Sequence, residues 1–510
     1  MAMEGTRSIL IVGGGTAGWL TAAYLARFLD LANRRDLTIT LVESPDIGII
    51  GVGEGAFPTI RTTLQFLGVD ERDFLRATGA TFKQGVRFED WLRTPAPGEH
   101  HHYFHPFEAP LYAHDASLVS LWLAQDPATR PPFAEAVTIQ HRVAGDARAP
   151  KAIGEEGFAA PLNYAYHFDA AGLARLLADR ARALGVVHVA DRLLGATRTA
   201  DGAIDHLEFE RSGALTADLF VDCTGLRAEL IGGALAEPFV SVKKYLFTDR
   251  ALACRIPGSR PDAPLPSYTI AAAHQAGWIW DIGLRDGRGV GAVYSSDHAD
   301  AAEAEDILAA YLDRGGASAA ARLIAFDPGY RRRQWVGNCV AVGMAAGFVE
   351  PLESAGIVLI EAAAAMIAEL FPPAGPVDAS ADRFNALMIA RYDRIVTFLK
   401  LHYCLSRRDE RFWRDNNDPA TIPDALKDLL DRWRFRPPSR FDFTLDVETF
   451  AYFNYQYILY GMEFRTAPPA GAVATAREAA SAFARIRHFG DQAVQDLPSH
   501  RELIREINQG

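Results

Sequence analysis

Apolar and polar positions at the start of the chain predict a βαβ unit. Residues 8–12 read SILIV, residues 13–18 read GGGTAG, and helical spacing of apolar residues continues through Phe28. LTITLVES (37–44) then alternates as a strand does, with Glu43 near its end. A strand, a glycine turn, a helix and a second strand form the typical βαβ opening of a Rossmann-like α/β nucleotide-binding fold.

Later segments predict further strands and then a change to helices. DAAGLARLLADRARALG (169–185) has helical spacing, whereas residues 186–226 predict strands with a turn at Asp201-Gly202. Strands dominate residues 245–297, and AGIVLIEAAAAMIAELF (355–371) predicts a long helix. FPPAGP (371–376) interrupts the chain, so we predict an α/β body over residues 1–371, with a loop at about 94–150, and a mainly helical module over residues 372–510.

Composition narrows the class of protein. The chain has 510 residues and a net charge of −12, which argues against nucleic acid or an anionic membrane as a partner. Its four cysteines are scattered, so we expect a reduced compartment and no metal site. No signal peptide is recognised, and the longest apolar stretch, 355–371, contains Glu361 and Glu369. We therefore expect a cytoplasmic protein without a membrane span.

The first glycine run matches a nucleotide-binding pattern. Gly13, Gly15 and Gly18 have the spacing G-x-G-x-x-G between a predicted strand and a predicted helix. These glycines allow a tight turn, close approach of a pyrophosphate and close packing of helix on sheet. Glu43 follows 25 residues after Gly18, near the position of a ribose-binding acid. The pattern predicts a dinucleotide but does not separate NAD from FAD.

Three later glycine-containing segments favour FAD. GIIGVGEGAFP (48–58) follows Glu43 directly, and VDCTGL (221–226) and VAVGMAAGF (340–348) are strand-to-glycine corners. Repeated return of the chain to one nucleotide is typical of FAD-binding modules rather than of short NAD domains.

Two tryptophans one residue apart occupy a predicted strand. In GWIWDIGL (277–284), Trp278, Trp280 and Ile282 alternate and therefore share one strand face. Two indoles side by side form a stiff apolar wall. An aromatic core strand and a wall that screens a site both fit this pattern.

Six motifs, in order along the chain, carry a resemblance. They are GGGTAGW (13–19), IGVGEGAFP (50–58), FKQGVRFEDW (82–91), YHFDA (166–170), GWIWDI (277–282) and GFVEPLESAGI (347–357). With them the chain resembles the flavin-dependent halogenases of the tryptophan halogenase family. FAD hydroxylases carry Gly-Asp at the later corner, where this chain has Gly343-Met344.

The resemblance implies an FAD-binding module of the flavin monooxygenase type, with an additional β-sheet and a helical C-terminal substrate module. FADH2 supplied by a separate flavin reductase would react with O2, and a halide ion would be oxidised to hypohalous acid. The acid would pass through a tunnel to a small aromatic substrate, with Trp278, Trp280 and Ile282 as the tunnel wall. A homodimer is compatible with the sequence.

The resemblance also assigns the catalytic residues. Lys83 matches the family's catalytic lysine, which would hydrogen-bond hypohalous acid or form a haloamine. Glu353 matches a second essential residue, which would stabilise the cationic ring intermediate and take its proton, with Ser354 orienting it. The alternatives are a solvated lysine beside Arg87 and Glu89, and a first-turn acid favoured by a helix dipole.

Cofactor and halide contacts follow from the same motifs. The residues expected to bind FAD are Gly13, Gly15, Thr16, Ala17, Gly18, Glu43, Gly51, Val52, Gly53, Glu54, Val189, Gly343 and Ile357. The halide would bind backbone N–H groups at Ala355 and Gly356. The family commonly has threonine at the position of Ala355, so we expect a preference for bromide over the more strongly hydrated chloride. Gly283 stands where the family usually has proline, which questions the rigidity of that strand end.

An indole-sized pocket is the expected substrate site. His105 and Phe107 lie 22 and 24 residues after Lys83, roughly where the family sandwiches its indole, and Tyr455 lies in a second aromatic cluster, YFNYQYILYG (452–461). A surface loop with aromatic anchors is the alternative. Free tryptophan, an indole and a carrier-bound aromatic all stay open. The competing functions are an FAD-dependent aromatic hydroxylase and a non-catalytic flavin-binding protein; Lys83, Glu353 and the tryptophan pair favour the halogenase.

Overall fold

Two compact units make up the chain, and each is assembled from three segments. The computed structural model describes residues 7–48, 53–96, 98–113, 116–258, 263–372, 374–444, 448–468 and 476–509. The first unit comprises Met1–Gly79, Phe168–Lys243 and Phe326–Asp393, and the second comprises Ala80–His167, Lys244–Ala325 and Arg394–Gly510. The sequence instead suggests a linear division at residue 371, which stays a prediction about functional modules.

A six-stranded sheet is the core of the first unit. Its strands lie in the order Val187–Ala190, Leu37–Glu43, Arg7–Val12, Leu219–Asp222, Cys339–Ala341 and Trp335–Val336. The first five run parallel, and the last joins them antiparallel. Ile9, Leu10 and Ile11 are consecutive and all buried, as expected for a central parallel strand covered on both faces.

Helices and small sheets complete the first unit. Its α-helices are Thr16–Phe28, Thr59–Leu67, Glu71–Thr78, Ala170–Ala183 and Ala355–Leu370. One three-stranded sheet contains Leu193–Arg198, Ile204–Phe209 and Gly213–Leu215, and another contains Phe239–Ser241, Gly329–Arg331 and Gly347–Phe348. Short helical turns lie at Leu31–Asn33, Gly225–Arg227, Glu229–Ala234, Gly343–Ala345 and Leu352–Ser354, and Glu54–Gly55 is extended.

A seven-stranded sheet is the core of the second unit. Its order is Arg322–Ala325, Arg250–Pro257, Gly287–Tyr294, Gly277–Leu284, Thr269–His274, Gly85–Glu89 and His102–Pro106. Every neighbouring pair is antiparallel except Thr269–His274 with Gly85–Glu89. Thr81–Lys83 pairs antiparallel with Ala165–Phe168, and Tyr112–Ala113 pairs with Ala116–Ser117.

The helices of the second unit lie mainly toward the end of the chain. They are Leu118–Leu123, Phe133–Val137, Gln140–Gly145, Ala301–Arg314, Arg411–Asn416, Asp424–Trp433, Tyr452–Gly461, Ala476–Asp496 and His500–Gln509, with 3-10 turns at Pro419–Thr421 and Arg440–Asp442. The long helix Ala381–Cys404 begins in the first unit and ends in the second.

The predicted α/β class, with a parallel sheet and a further sheet, is confirmed. The segment 94–150, expected to be a loop, differs, because it contains the edge strand His102–Pro106 and three short helices. The histidines and prolines of this segment do not predict a strand. His102–Pro106 is nevertheless an edge strand, hydrogen-bonded on one side to Gly85–Glu89. Within the described ranges, no helix has the length and apolar character needed to cross a membrane.

Candidate functional site

The first glycine turn has a backbone that only glycine fits. Gly13 has φ +114°, its N–H donates to the Val42 carbonyl at 2.8 Å, and a Cβ there would lie 2.3 Å from the Cys223 carbonyl oxygen. A Cβ at Gly18 would lie 1.8 Å from the Gly13 carbonyl oxygen. The turn and the helix therefore pack backbone against backbone.

Gly15, by contrast, faces open space. A Cβ on Gly15 would meet no atom within 4 Å, and the helix that Thr16 and Ala17 begin has no acidic residue in its first turn. Glycine has no side chain to cap this helix, so its first N–H groups can bind an external acceptor. An open helix N-terminus of this kind fits the pyrophosphate of FAD.

Glu43 lies over this turn, at the carboxyl end of its strand. Its Oε2 would be 1.5 Å from a Cβ on Gly14, and its Oε1 lies 2.9 Å from His188 Nε2. Val189 is registered with Val42 on the neighbouring strand. The position of Glu43 suits a hydroxyl-binding acid for a ribose. His188 was missed by the sequence analysis, although its strand could have been expected next to Leu37–Glu43.

The later corners return to the same turn. Gly343 has φ +68°, and a Cβ on it would lie 2.8 Å from the Cβ of Ala17. Cys223, in the corner at 221–226, contacts Gly13 as described above. The expected convergence of these two corners on the first glycine turn is confirmed.

Only part of the second glycine run falls within the described residues. Gly51 and Val52 lie outside them. Gly53 has φ +125°. Glu54 follows it, and burial together with the nearby Asp169 carboxylate raises the pKa of Glu54 to about 7.

Glu353 and Ser354 form a strained turn before the helix Ala355–Leu370. Both are non-glycine residues in the left-handed region, at φ +63° and +58°. Such conformations cost about 1–3 kcal/mol each and are typical of functional sites. Glu353 is 3% exposed and Glu350 is 2% exposed, so burial does not distinguish the two acids. The backbone conformation does, and it singles out Glu353.

The start of this helix also borders open space. Ala355 and Ile357 are buried, whereas a Cβ on Gly356 would meet no atom within 4 Å. The N–H groups of a first helical turn carry partial positive charge. This helix start can therefore hold a small anion at Ala355 and Gly356, as the sequence predicts.

Lys83 lies in the second unit and is fully buried. It ends the strand Thr81–Lys83, opposite Ala165, with 0% of its side chain exposed. Its Nζ is 5.5 Å from the centre of the Phe107 ring. The alternative of a solvated lysine is therefore wrong; Arg87 and Glu89 instead form their own partly exposed ion pair at 3.1 Å.

His105 and Phe107 are buried rather than displayed on a surface loop. His105 Nε2 lies 2.9 Å from Asn454 Oδ1. The Phe107 backbone N–H donates to Gln140 Oε1 at 2.8 Å, which fixes the ring beneath Lys83. The alternative of aromatic surface anchors is therefore wrong for both residues. Asn454 was missed, since its only sequence signal is its place inside the aromatic cluster 452–461.

Tyr455 has a different environment. Its ring lies 4.8 Å from Phe398 and 4.7 Å from Phe443, and it is fully buried among helices. This burial raises the pKa of Tyr455 well above its usual value. Asn454, its neighbour on the helix, is the residue that contacts His105. A substrate-binding role for Tyr455 stays a prediction.

The tryptophan pair lies on a central strand that is buried on both faces. The Trp278 and Trp280 ring centres are 6.3 Å apart in an edge-to-face arrangement, and Ile282 is buried beside them. Trp280 covers Gly291, where a Cβ would lie 2.2 Å from the indole. Trp278 packs 6.4 Å from Trp91. The pair is thus a stiff wall and part of an aromatic core at the same time.

Packing explains the glycine at position 283, where the resemblance described above would lead us to expect proline. A Cβ on Gly283 would lie 2.7 Å from Leu265 Cδ1, and its carbonyl accepts a hydrogen bond from Thr81 Oγ1 at 2.6 Å. The strand end is therefore held by Leu265 and Thr81.

In the described part of the chain, no group of three histidine, cysteine, aspartate or glutamate residues is arranged to hold a metal.

Comparison with known proteins places the chain in a family. A family model described as "Tryptophan halogenase" matches residues 8–478. The chain is 35% identical over 523 residues to the tryptophan 6-halogenase SttH of Streptomyces toxytricini, covering 98% of both proteins. It is 32% identical to the tryptophan 7-halogenase RebH of Lentzea aerocolonigenes, again over 98% of both. The crystal structure of a tryptophan halogenase from Shewanella frigidimarina matches with a TM-score of 0.92 and 39% identity, covering 99% of this chain and 98% of that one.

Proposed function

Since the chain belongs to the tryptophan halogenase family, we propose that it halogenates the indole ring of tryptophan or of a closely similar small aromatic substrate. It is a flavin-dependent halogenase, an oxidoreductase that uses FAD and a halide ion. The observation that carries the proposal is the complete burial of Lys83 against the Phe107 ring. A lysine exposed to solvent would hydrogen-bond water instead of hypohalous acid, and burial removes that competition.

In the first unit, FAD would lie along the turn at Gly13–Gly18 and the corners at Cys223 and Gly343, which together we call the groove. The open N-terminus at Gly15 would bind the pyrophosphate and Glu43 a ribose hydroxyl, with Val189, Gly343 and Ile357 around them. Reduced FAD, supplied by a separate flavin reductase, would activate O2 there, and O2 would be the oxidant that turns halide into hypohalous acid. Tight backbone packing at Gly13 and Gly18 keeps this helix N-terminus in place for the cofactor.

The Lys83 ammonium would activate hypohalous acid. Its burial removes competing water, so a hydrogen bond from Nζ to the acid's oxygen is stronger than it would be in solvent. This bond withdraws electrons from the halogen; as the halogen moves to the ring, Nζ gives its proton to the departing hydroxide, which leaves as water. If Lys83 is neutral instead, its amine takes the halogen as a haloamine and the acid's oxygen leaves with two protons as water.

Glu353 would complete the substitution. When the ring carbon gains the halogen, the ring becomes cationic, and the Glu353 carboxylate stabilises it and accepts its proton. Ser354, next in the strained turn, orients the carboxylate. Atoms balance, because the ring gains one halogen and gives one proton to Glu353, while Lys83 gives one proton to the hydroxide that leaves as water; both groups regain their starting protonation states before the next cycle.

The helix start at Ala355 and Gly356 would bind the halide through backbone N–H groups. A site without a threonine hydroxyl recovers less of the hydration free energy that chloride loses, so bromide is the preferred halide. In the second unit, His105 and Phe107 would hold the aromatic ring of the substrate, and Trp278 and Trp280 would keep that ring from direct oxidation, which favours halogenation over hydroxylation.

One experiment tests this function. The purified protein receives FAD, a flavin reductase with its reductant, O2, bromide and either tryptophan or indole, and products are identified by mass spectrometry. We expect a bromine isotope pattern that requires bromide and disappears in Lys83→Ala. A gain of oxygen without bromine would show a hydroxylase. No product from tryptophan or from indole would contradict the proposal for both substrates.

A further inference from the structure

Glu361 is a buried acid in an otherwise apolar part of the helix Ala355–Leu370. Its side chain is 7% exposed. Oε2 accepts a hydrogen bond from Thr59 Oγ1 at 2.6 Å, and Oε1 accepts one from Thr63 Oγ1 at 2.5 Å. Thr59 and Thr63 are four residues apart on the helix Thr59–Leu67, so they present both hydroxyls on one face. The two helices are therefore joined by both oxygens of one carboxylate.

The Glu361 carboxylate lies on a helix whose start, like those of the helices packed against it, is near the proposed FAD and halide sites. Each of three mutually packed helices, Thr16–Phe28, Thr59–Leu67 and Ala355–Leu370, begins at or shortly after residues assigned above to FAD or halide. Glu361 lies one turn beyond Ile357 on the same helix face. Thr59 lies five residues after Glu54.

We propose that Glu361 is a positioning residue, which clamps the helix Thr59–Leu67 to the helix Ala355–Leu370 and so sets the affinity of the groove for FAD. The inference rests on the proposed function, because it assumes that FAD binds in this groove. Glu361 acts through the two helices and does not touch the cofactor.

The clamp has two protonation states near neutral pH. Burial raises the pKa of Glu361 to about 7, against the lowering effect of the two threonine hydroxyls. The ionised carboxylate accepts both hydroxyls in charge-assisted bonds. The protonated form carries a hydrogen on one oxygen, so one threonine must turn or lose its bond. Above pH 7, Glu361 therefore keeps both threonine hydrogen bonds, although burial of its charge lowers the stability of the fold.

Other charged or titratable groups lie on the elements around this site. Arg61 is on the helix Thr59–Leu67, and Glu54, shortly before that helix, has a pKa raised to about 7. Tyr24 on Thr16–Phe28 has its pKa raised by burial, then by Glu369 and then by Glu361. Glu369 lies two turns further along the helix of Glu361, and Glu353 lies in the turn that precedes it. Thr59 and Thr63 donate their hydrogen bonds to Glu361 and not to Glu369. Glu369→Gln therefore removes a carboxylate from the same helix without breaking the clamp, and serves as the control.

Stability and cofactor affinity should respond to Glu361 in opposite directions. Because the folded-state pKa lies above the unfolded value of 4.5, the stabilising contribution is present below that value and is lost as pH rises through 7. At pH 8 the ionised clamp therefore costs stability, and Glu361→Gln should raise the unfolding temperature. The same variant should weaken FAD binding, which a purely structural role would not produce.

The test measures the FAD dissociation constant by flavin fluorescence, and the unfolding temperature, at pH 6, 7 and 8. For the wild type we expect affinity to increase on the order of tenfold from pH 6 to pH 8, the scale of one charge-assisted bond. Glu361→Gln should show a clearly smaller slope than the wild type, with weaker binding at pH 8; the slope that is left belongs to Glu54, whose pKa is also about 7. Glu369→Gln should follow the wild type. Thr63→Val removes one donor without changing the carboxylate and should give a reduced slope.

Each contrary result has a distinct meaning. A wild-type affinity that does not vary with pH, or a Glu361→Gln profile like that of the wild type, overturns the clamp alone. A flat profile in Glu369→Gln overturns the assignment to Glu361. If Glu361→Gln does not fold, a wild-type slope in Thr63→Val overturns the clamp. If the wild type binds no FAD at any pH, the proposed function fails and the inference fails with it.

Discussion

Two helix starts in the first unit face open space, at Gly15 and at Gly356, and they are built in opposite ways. Before the helix Thr16–Phe28, a glycine supplies the positive φ, at Gly13. Before the helix Ala355–Leu370, the positive φ values belong to Glu353 and Ser354, which are strained there. The first turn would need only backbone N–H groups to bind FAD. The second keeps two side chains at an energetic cost, which supports the proposed roles of Glu353 and Ser354.

Replacing the acid of the strained turn should have the largest effect. Glu353→Gln keeps the shape but removes the charge and the base, so we expect halogenation to slow by about 10²-fold or more. Initial rates with saturating reduced FAD and bromide measure this. Glu350→Gln is the matched control, equally buried but outside the left-handed pair, and should lose much less. If Glu350→Gln is the slower enzyme, the strain does not mark the catalytic acid.

Two alanine substitutions separate packing from binding in the unstrained turn. Gly18→Ala places a Cβ against the Gly13 carbonyl and should lower the free energy of unfolding by about 1–3 kcal/mol, weakening FAD binding as well. Gly15→Ala meets open space and should leave the unfolding free energy within about 0.5 kcal/mol while still weakening FAD binding. Chemical denaturation and FAD titration measure both. Equal stability losses in the two variants would contradict this distinction.

Restoring a hydroxyl at the second helix start should shift halide choice. Ala355→Thr adds a donor near the halide, and one hydrogen bond to a charged ligand is worth about 1.5–3 kcal/mol, of which chloride gains the larger share. We therefore expect the ratio of chlorination to bromination rates to rise several-fold, up to about tenfold. Competition assays with mixed halides measure the ratio for both proteins. An unchanged ratio would mean that this position does not set halide preference.

Relieving the strain should have the smallest effect, and it should be stabilising. Ser354→Gly removes the cost of a left-handed serine, partly offset by glycine's greater freedom in the unfolded chain, so we expect about 1 kcal/mol of added stability. Halogenation should fall, because the turn can then relax away from Glu353. Thr16→Gly, at the matching unstrained helix start, should destabilise instead. If Ser354→Gly and Thr16→Gly change the free energy of unfolding in the same direction, the proposed difference between the two turns is contradicted.

The unstrained turn could be read from the sequence, and the strained one only in part. Glycine spacing at Gly13, Gly15 and Gly18 has one physical cause, so the fold class and the cofactor groove followed from it. The residue types at Glu353 and Ser354 do not predict a left-handed backbone, because this conformation depends on the structure around them. The partners His188 and Asn454 were missed for a related reason, since each contact joins segments more than 100 residues apart.

The order of strands in the six-stranded sheet also affects how the chain is made. Arg7–Val12 pairs with Leu219–Asp222, which in turn pairs with Cys339–Ala341. During synthesis at about 5–20 residues per second, the opening βαβ unit leaves the ribosome tens of seconds before its last parallel neighbour does. Until Leu219–Asp222 has been made, the edge of Arg7–Val12 lacks this partner, and afterwards the edge of Leu219–Asp222 lacks Cys339–Ala341. Each of these open edges is a place where other chains can add. We therefore expect this enzyme to gain soluble yield from slower translation or from a chaperone that covers nascent strands.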